Sequence, residues 1–140
     1  MRPDDDGTAA ATPIPTAALA DWLVLVVDDE PLIGEDVAIS LRDAGAHVVG
    51  PMRNERDALH AIRSVDGYQT RKINGAVLDI NLGDHTCERV AKRLEALGVP
   101  FVLHTGNWHT TAALVERLNA PVVGKPATGE QLVEALAELG

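Results

Sequence analysis

Short apolar runs alternate along the chain with stretches in which apolar residues recur at helical spacing, and this alternation is the strongest constraint on the fold. Repeated strand–helix units favour a parallel sheet, because the helix returns the chain to the edge where the preceding strand began. Several runs are apolar throughout, as strands buried on both faces are. The sequence therefore predicts an α/β fold, a five-stranded parallel sheet with helices on both faces. The predicted strands are Trp22–Val27, Ala46–Gly50, Gly75–Asp79, Pro100–His104 and Pro121–Gly124.

Five amphipathic stretches follow these runs and are predicted to be helices. The first begins near Pro31, a residue suited to an opening helical turn, and ends at Gly45. Cys87 belongs to the apolar stripe of the third helix, so we interpret it as a small core residue rather than a reactive thiol. The remaining predicted helices extend from Asn54 to about Val65, from the Cys87 region to Gly98, from Thr111 to Leu118 and from Gly129 to Leu139.

Composition and charge exclude several classes of partner. The formal net charge of -9 argues against nucleic-acid binding, which depends mainly on clustered Lys and Arg. No apolar run approaches membrane-spanning length, so we expect no contact with a membrane. Cys87 is the only cysteine, which rules out an intramolecular disulfide and makes the cytoplasm the expected location. Proteins and small ions are the expected partners.

The N-terminal segment differs in composition from the rest of the chain. Residues 1–20 contain acids and prolines where a secretory signal has a basic start and an apolar core. We predict that they form a disordered or loosely attached tail. Residues 21–140 are then long enough for one domain with its own apolar core.

Polar side chains accompany the ends of four predicted strands. Asp28 and Asp29 follow the first strand, Asp79 ends the third, Thr105 follows the fourth and Lys125 follows the fifth. The carboxyl ends of parallel strands share one edge of the sheet, where open α/β sheets bind ligands. Carboxylates a few ångströms apart repel each other by roughly 4 kcal/mol per pair, so they hold a cation or shift a pKa. Oxygen ligands of this kind predict a Mg²⁺ site.

The residue types at this edge suit phosphoryl transfer. Asp79 is the predicted nucleophile toward phosphorus and also a metal ligand. Lys125 and the metal would neutralise charge, and the Thr105 hydroxyl would donate a hydrogen bond to a phosphoryl oxygen. Glu30 is interpreted as a residue that starts the first helix, where a carboxylate is favoured by the helix dipole.

Four motifs, VVDDEP, VLDINLG, PFVLHTG and VVGKP, resemble in order the motifs of the receiver domain of bacterial two-component response regulators. The resemblance covers about residues 21–140 and implies the flavodoxin-like (βα)5 receiver fold. It also implies that Asp28 and Asp29 are magnesium-binding acids. The backbone carbonyl of Asn81, two residues past Asp79, would complete the metal site.

The same resemblance assigns roles to the other polar residues at the strand ends. Asp79 would be the phosphate acceptor and would also contact the metal. Thr105 would be the switch hydroxyl, and Lys125 would be the partner of Asp79 and of its phosphate. Five positions in the right order, each at a strand end, form a strong signal, whereas any one of them alone would be weak.

Two positions depart from the family pattern. Val122 stands three residues before the lysine, where many receivers have an inward-turning Tyr or Phe, and Trp108 is the candidate switch aromatic in its place. PFVLHTGNW is similar to a subgroup of single-domain receivers known from alphaproteobacterial stress signalling. Gly83 stands where many receivers have proline, and it allows backbone angles that proline cannot adopt.

The resemblance implies a single-domain response regulator. Asp79 would accept a phosphoryl group from a histidine kinase or a histidine phosphotransfer protein. A downstream protein would bind the face formed by the fourth helix, the fifth strand and the fifth helix. The chain would not be an enzyme, beyond self-phosphorylation from small donors and self-dephosphorylation.

Two alternative functions use similar residues. A phosphatase of the haloacid dehalogenase type also combines an aspartate nucleophile, a hydroxyl residue, a lysine and an acidic pair. Those enzymes place the pair after the lysine and need a second acid two residues past the nucleophile, where this chain has Asn81. The other alternative is a receiver-fold binding scaffold that is never phosphorylated, and Val122 at the usual aromatic position is the feature that favours it.

Overall fold

Residues 18–68, 72–106 and 112–140, which the computed structural model describes, form a parallel sheet covered by helices on both faces. The elements are β1 (Leu23–Val27), α1 (Pro31–Asp43), β2 (His47–Met52), α2 (Glu55–Tyr68), β3 (Gly75–Leu78), β4 (Asn81–Leu82), β5 (His85–Thr86), α3 (Glu88–Ala96), β6 (Phe101–Thr105), α4 (Ala112–Leu118), β7 (Val122–Gly124) and α5 (Gly129–Ala137). The main sheet has the order β2-β1-β3-β6-β7 with parallel pairing throughout, which confirms the predicted fold class. Within these ranges, no helix combines the length and the apolar character needed to cross a membrane.

The sheet separates two apolar cores, because successive side chains of a strand point to opposite faces. Leu25 of β1 and Leu78 of β3 belong to a buried cluster that includes residues of α2, α3 and α4. Val24 and Val77, each one residue earlier on the same strands, belong to a second cluster with residues of α1 and α5. The residues of β3 and β6 are buried throughout, as expected for central strands of a parallel sheet.

A small antiparallel hairpin between β3 and α3 was not predicted. Its strands, β4 and β5, are two residues long and pair Asn81 with Thr86 and Leu82 with His85. Gly83 lies in its turn with φ +74°, a backbone angle that proline cannot adopt. Two-residue strands are too short to show an alternating pattern, so the sequence contained no usable signal for the hairpin.

The packed part of the chain begins earlier than the predicted boundary at residue 20. Leu19 is completely buried in the core under α1 and α5. Its backbone amide donates a hydrogen bond to the Ala44 carbonyl oxygen at 2.9 Å. The predicted tail therefore includes at least one core residue, and the rest of that prediction, residues 1–17, lies outside the described ranges.

Helix α5 begins in close contact with α1, and this contact holds the loop between β7 and α5 beside α1. A Cβ atom on Gly129, the first residue of α5, would overlap the Ser40 side chain of α1. The preceding turn is fixed by a capping box, in which the Thr128 hydroxyl accepts from the Gln131 amide at 3.1 Å and the Gln131 side chain accepts from the Thr128 amide at 2.8 Å. The loop after β7 thus runs along α1, from Lys125, which bonds to Glu30 before the helix, to Gly129 beside Ser40 near its other end.

Candidate functional site

The register of the sheet brings Asp28 and Asp79 together. Val27 of β1 lies opposite Leu78 of β3, so the two aspartates follow paired residues and leave neighbouring strands side by side. The backbone amide of Asp79 donates to the Val27 carbonyl oxygen at 2.8 Å, which extends the ladder to the end of β3. Asp28 is only 3% exposed and Asp79 only 4%. Two buried carboxylates whose oxygens lie within 4.8 Å of each other require a cation to offset their charge.

Lys125 supplies that positive charge from the end of β7. Its Nζ atom lies 3.1 Å from Oδ2 of Asp28 and 3.1 Å from Oδ2 of Asp79. A third carboxylate, that of Glu30, lies closer, with Oε1 at 2.8 Å from Nζ. The backbone amide of Lys125 donates to the Thr105 carbonyl oxygen at 2.9 Å, which fixes the lysine beside β6. The lysine therefore connects three strand ends and the start of α1.

The ionisation of this cluster reflects both burial and charge. Burial is the main effect on Asp79 and raises its pKa to about 7. The positive charge of Lys125 lowers the same pKa, and the Asp28 carboxylate raises it. Burial alone would lower the pKa of Lys125, but the hydrogen bond with Glu30 and the charge of Asp79 outweigh it and raise that pKa. The cluster thus has more negative charge than one lysine can balance, and a divalent cation would favour the ionised form of Asp79.

Four carboxylates at this edge could bind a metal ion. Asp28, Asp29, Glu30 and Asp79 each offer one ligand oxygen, and these oxygens all lie within 4.8 Å of one another. An all-oxygen donor set fits hard cations such as Mg²⁺ and Ca²⁺, so the residues fit the metal that the sequence predicted. Asn81, the other predicted contributor, begins β4 with an exposed side chain, and its carbonyl contact with a metal stays a prediction.

Strand β6 ends in two buried polar residues. Thr105 is 1% exposed and His104 is 3% exposed. Among the described residues, His104 has no hydrogen-bond partner for either ring nitrogen. Burial and the positive charge of Lys125 lower the pKa of His104, so its ring is neutral at pH 7. His104 also lines a cavity of about 670 Å³ between α1 and the start of α5, beside Lys125.

Glu30 has a role in this cluster that was not predicted from the sequence. Glu30 does precede α1 at the N-cap position, as expected, but its side chain makes no capping hydrogen bond there. Its carboxylate accepts from Lys125 instead, across 95 residues of sequence. The available signal was the third acid in VVDDEP, which stands at the same edge as the lysine in VVGKP.

The two residues of the aromatic-switch prediction have different outcomes. Val122 begins β7, and its partly buried side chain packs against the core under α2, α3 and α4. This position therefore carries an aliphatic packing residue. Trp108, the candidate replacement, lies outside the described residues, so its predicted role stays a prediction.

No protein-family model and no curated protein matches the chain. The structure, in contrast, has the fold of response regulator receiver domains, as the motifs predicted. One similar structure is the response regulator receiver protein from Sinorhizobium medicae WSM419, with a TM-score of 0.71 and 26% identity over 86% of this chain and 95% of that one. The likeness to the alphaproteobacterial subgroup stays a prediction.

Two further solved structures have the same fold. A response regulator protein from Burkholderia pseudomallei, solved with a phosphorylated aspartic acid, a calcium ion and citrate, has a TM-score of 0.68 and 23% identity over 85% of this chain and 70% of that one. The response regulator DrrB of Thermotoga maritima, an OmpR/PhoB homologue, has a TM-score of 0.64 and 22% identity over 81% of this chain. The match spans only 50% of DrrB.

Proposed function

We propose that the chain is a response regulator receiver domain that accepts a phosphoryl group on Asp79. The observation that carries this proposal is the position of Lys125 Nζ, 3.1 Å from a carboxylate oxygen of both Asp28 and Asp79, at the strand ends of a receiver fold. A nucleophile, a cation and a metal-binding acid thus share one edge of the sheet, and phosphoryl transfer needs little more from a protein than positioning and charge neutralisation.

In the proposed reaction, a carboxylate oxygen of Asp79 attacks the phosphorus atom of a phosphohistidine. An O–P bond forms, the N–P bond breaks, and the imidazole leaves with the electron pair of that bond and takes up a proton. Lys125 neutralises charge on the phosphoryl oxygens, and the Thr105 hydroxyl donates to one of them. Mg²⁺ held by Asp28, Asp29 and Asp79 would supply further positive charge to these oxygens.

The donor that we propose is a histidine kinase or a histidine phosphotransfer protein in the cytoplasm. Phosphorylation adds nearly two negative charges next to Lys125. Movement of Thr105 toward them would shift the surface of α4, β7 and α5 between two populations, and a downstream protein would bind one of these. The phosphorylated aspartic acid and the calcium ion in the Burkholderia pseudomallei structure support phosphate and divalent-cation binding in this fold.

The test is the intact mass of the protein after incubation with acetyl phosphate, with and without Mg²⁺. We expect a gain of one phosphoryl group that requires the metal and is lost in Asp79→Ala. Asp84→Ala is the matched control, because Asp84 is an exposed acid in the nearby turn between β4 and β5. A gain that persists in Asp79→Ala, or no gain with acetyl phosphate or a phosphohistidine donor, would contradict the proposal.

A further inference from the structure

We infer that Glu30 is a positioning residue that competes with the phosphoryl group for Lys125 and thereby restrains phosphoryl capture at Asp79. The inference rests on the proposed function. It starts from the shortest of the three contacts of Lys125, the 2.8 Å hydrogen bond to Glu30 Oε1. The Asp28 and Asp79 oxygens both lie farther from Nζ, at 3.1 Å.

Three carboxylates crowd the ammonium group of Lys125. Nζ donates hydrogen bonds to Glu30 and Asp79, and an oxygen of Asp28 lies 3.1 Å from it as an ion-pair partner. A phosphoryl oxygen therefore comes into close contact with Nζ at the expense of one of these carboxylates. The availability of Lys125 depends on which carboxylate is released most easily.

Exposure identifies Glu30 as the partner that is exchanged. The side chains of Asp28 and Asp79 are 4% and 6% exposed, so water cannot replace the ammonium around them. The side chain of Glu30 is 56% exposed, and water can solvate its carboxylate as soon as the contact breaks. Glu30 is thus the outer carboxylate of the cluster, and its release makes Lys125 available to the phosphoryl group.

The negative charge of Glu30, like its contact with Lys125, should slow the phosphorylation of Asp79. Phosphoryl donors are anionic, and they approach an edge where four carboxylates lie together. Like charges at the entrance to a site slow the association of an anion. Removal of the Glu30 charge should therefore speed phosphorylation, and so should removal of its contact with Lys125.

The contact itself can be tested without phosphorylation, through the ¹H–¹⁵N signals of the lysine ammonium groups in the metal-free protein. The chain has three lysines, and Lys72 and Lys92 are exposed, so the signal of Lys125 can be assigned by substitution of the other two with arginine. We expect that signal to shift in Glu30→Gln and Glu30→Asp. It should stay in place in Glu35→Gln, since Glu35 is an exposed residue of α1 that pairs with Arg42 instead.

The functional consequence is measured as the rate of phosphorylation by acetyl phosphate. We expect a rise of roughly threefold to tenfold for Glu30→Gln. Glu30→Asp keeps the charge but is one methylene shorter, so a faster rate in this variant as well assigns the effect to the contact with Lys125. An unchanged or slower rate in Glu30→Gln, or an equal rise in Glu35→Gln, overturns the inference. Absence of phosphorylation in the wild type overturns the proposed function itself, and the inference fails with it.

Discussion

The ionic cluster at the ends of β1 and β3 and the histidine at the end of β6 are both buried, yet they are balanced differently. Asp28 and Asp79 share the ammonium of Lys125, whose Nζ atom lies 3.1 Å from a carboxylate oxygen of each. His104 is as deeply buried and has no hydrogen-bond partner for its ring nitrogens among the described residues. The carboxylates are tolerated because an opposite charge is present, and the imidazole because it is neutral.

This difference separates buried groups that have an opposite charge beside them from a buried group without hydrogen-bond partners among the described residues. In both regions burial acts against the charged form, so it raises the pKa of Asp79 and lowers that of His104. At Asp79 the surrounding structure supplies a cation and further ligand oxygens that keep the carboxyl group ready to ionise. Removal of the Lys125 charge should therefore destabilise the protein, whereas removal of the His104 ring should stabilise it.

Lys125→Met should give the largest effect, because it leaves Asp28 and Asp79 buried without a counter-charge. We expect a loss of about 3 to 5 kcal/mol in the free energy of unfolding at neutral pH, measured by urea denaturation. Mg²⁺ should restore part of the loss, since it binds the same carboxylates. Lys92→Met removes an exposed lysine of α3 and serves as the control. A loss below about 1 kcal/mol in Lys125→Met would show that Lys125 does not balance the cluster.

Asp79→Asn should stabilise the protein at alkaline pH in the absence of metal. The pKa of Asp79 is about 7 in the folded state against 3.8 for a free carboxyl, so the folded state binds the proton more tightly. Wild-type stability therefore falls as the pH rises between these two values, and the asparagine variant lacks this dependence. We expect it to be more stable by about 2 to 4 kcal/mol at pH 8 and equal to the wild type below pH 4.

Urea denaturation at the two pH values, with EDTA present, checks this expectation. Added Mg²⁺ should reverse the order of stability, because it binds the wild-type carboxylate more tightly than the amide. An equal difference between the variants at both pH values would mean that ionisation of Asp79 is not the source of the effect.

The order of the elements and the strand-end residues could be predicted from the sequence, because both depend on short stretches of neighbouring residues. Strands β3 and β6 are apolar runs that need no knowledge of their neighbours. Once the strands are parallel, the positions of Asp28, Asp79 and Lys125 at one edge follow from topology.

What could not be predicted depends on contacts between distant residues. Glu30 and Lys125 are 95 residues apart, and their hydrogen bond requires the placement of α5 against α1 at Gly129. His104 was expected at a strand end and lies there, but that its ring has no partner within residues 18–68, 72–106 and 112–140 depends on how these segments pack. The sequence can indicate which groups are polar, and only the fold decides which of them are paired.

His104→Leu should stabilise the protein by about 1 to 2 kcal/mol, because it removes two buried nitrogens that have no hydrogen-bond partner in the described parts of the chain. The lowered pKa of His104 means that the unfolded chain binds the proton more tightly, so this residue lowers stability as the pH falls below about 6.5. The difference between variant and wild type should therefore grow in acid. Urea denaturation at neutral pH and at pH values below about 6.5 measures this difference, and His85→Leu, at an exposed histidine, is the control. A destabilised variant would indicate that the ring is satisfied in solution.

Arg117→Gln should give the smallest effect, although its ion pair has the same distance as two of the contacts of Lys125. The guanidinium of α4 lies 3.1 Å from the Glu88 carboxylate of α3, but the two side chains are 57% and 29% exposed. Water and salt screen such a pair, so we expect a loss of about 0.5 kcal/mol or less, which disappears at high ionic strength. Urea denaturation at low and high salt measures it. A loss as large as that of Lys125→Met would mean that distance, rather than burial, decides what a charge pair contributes in this fold.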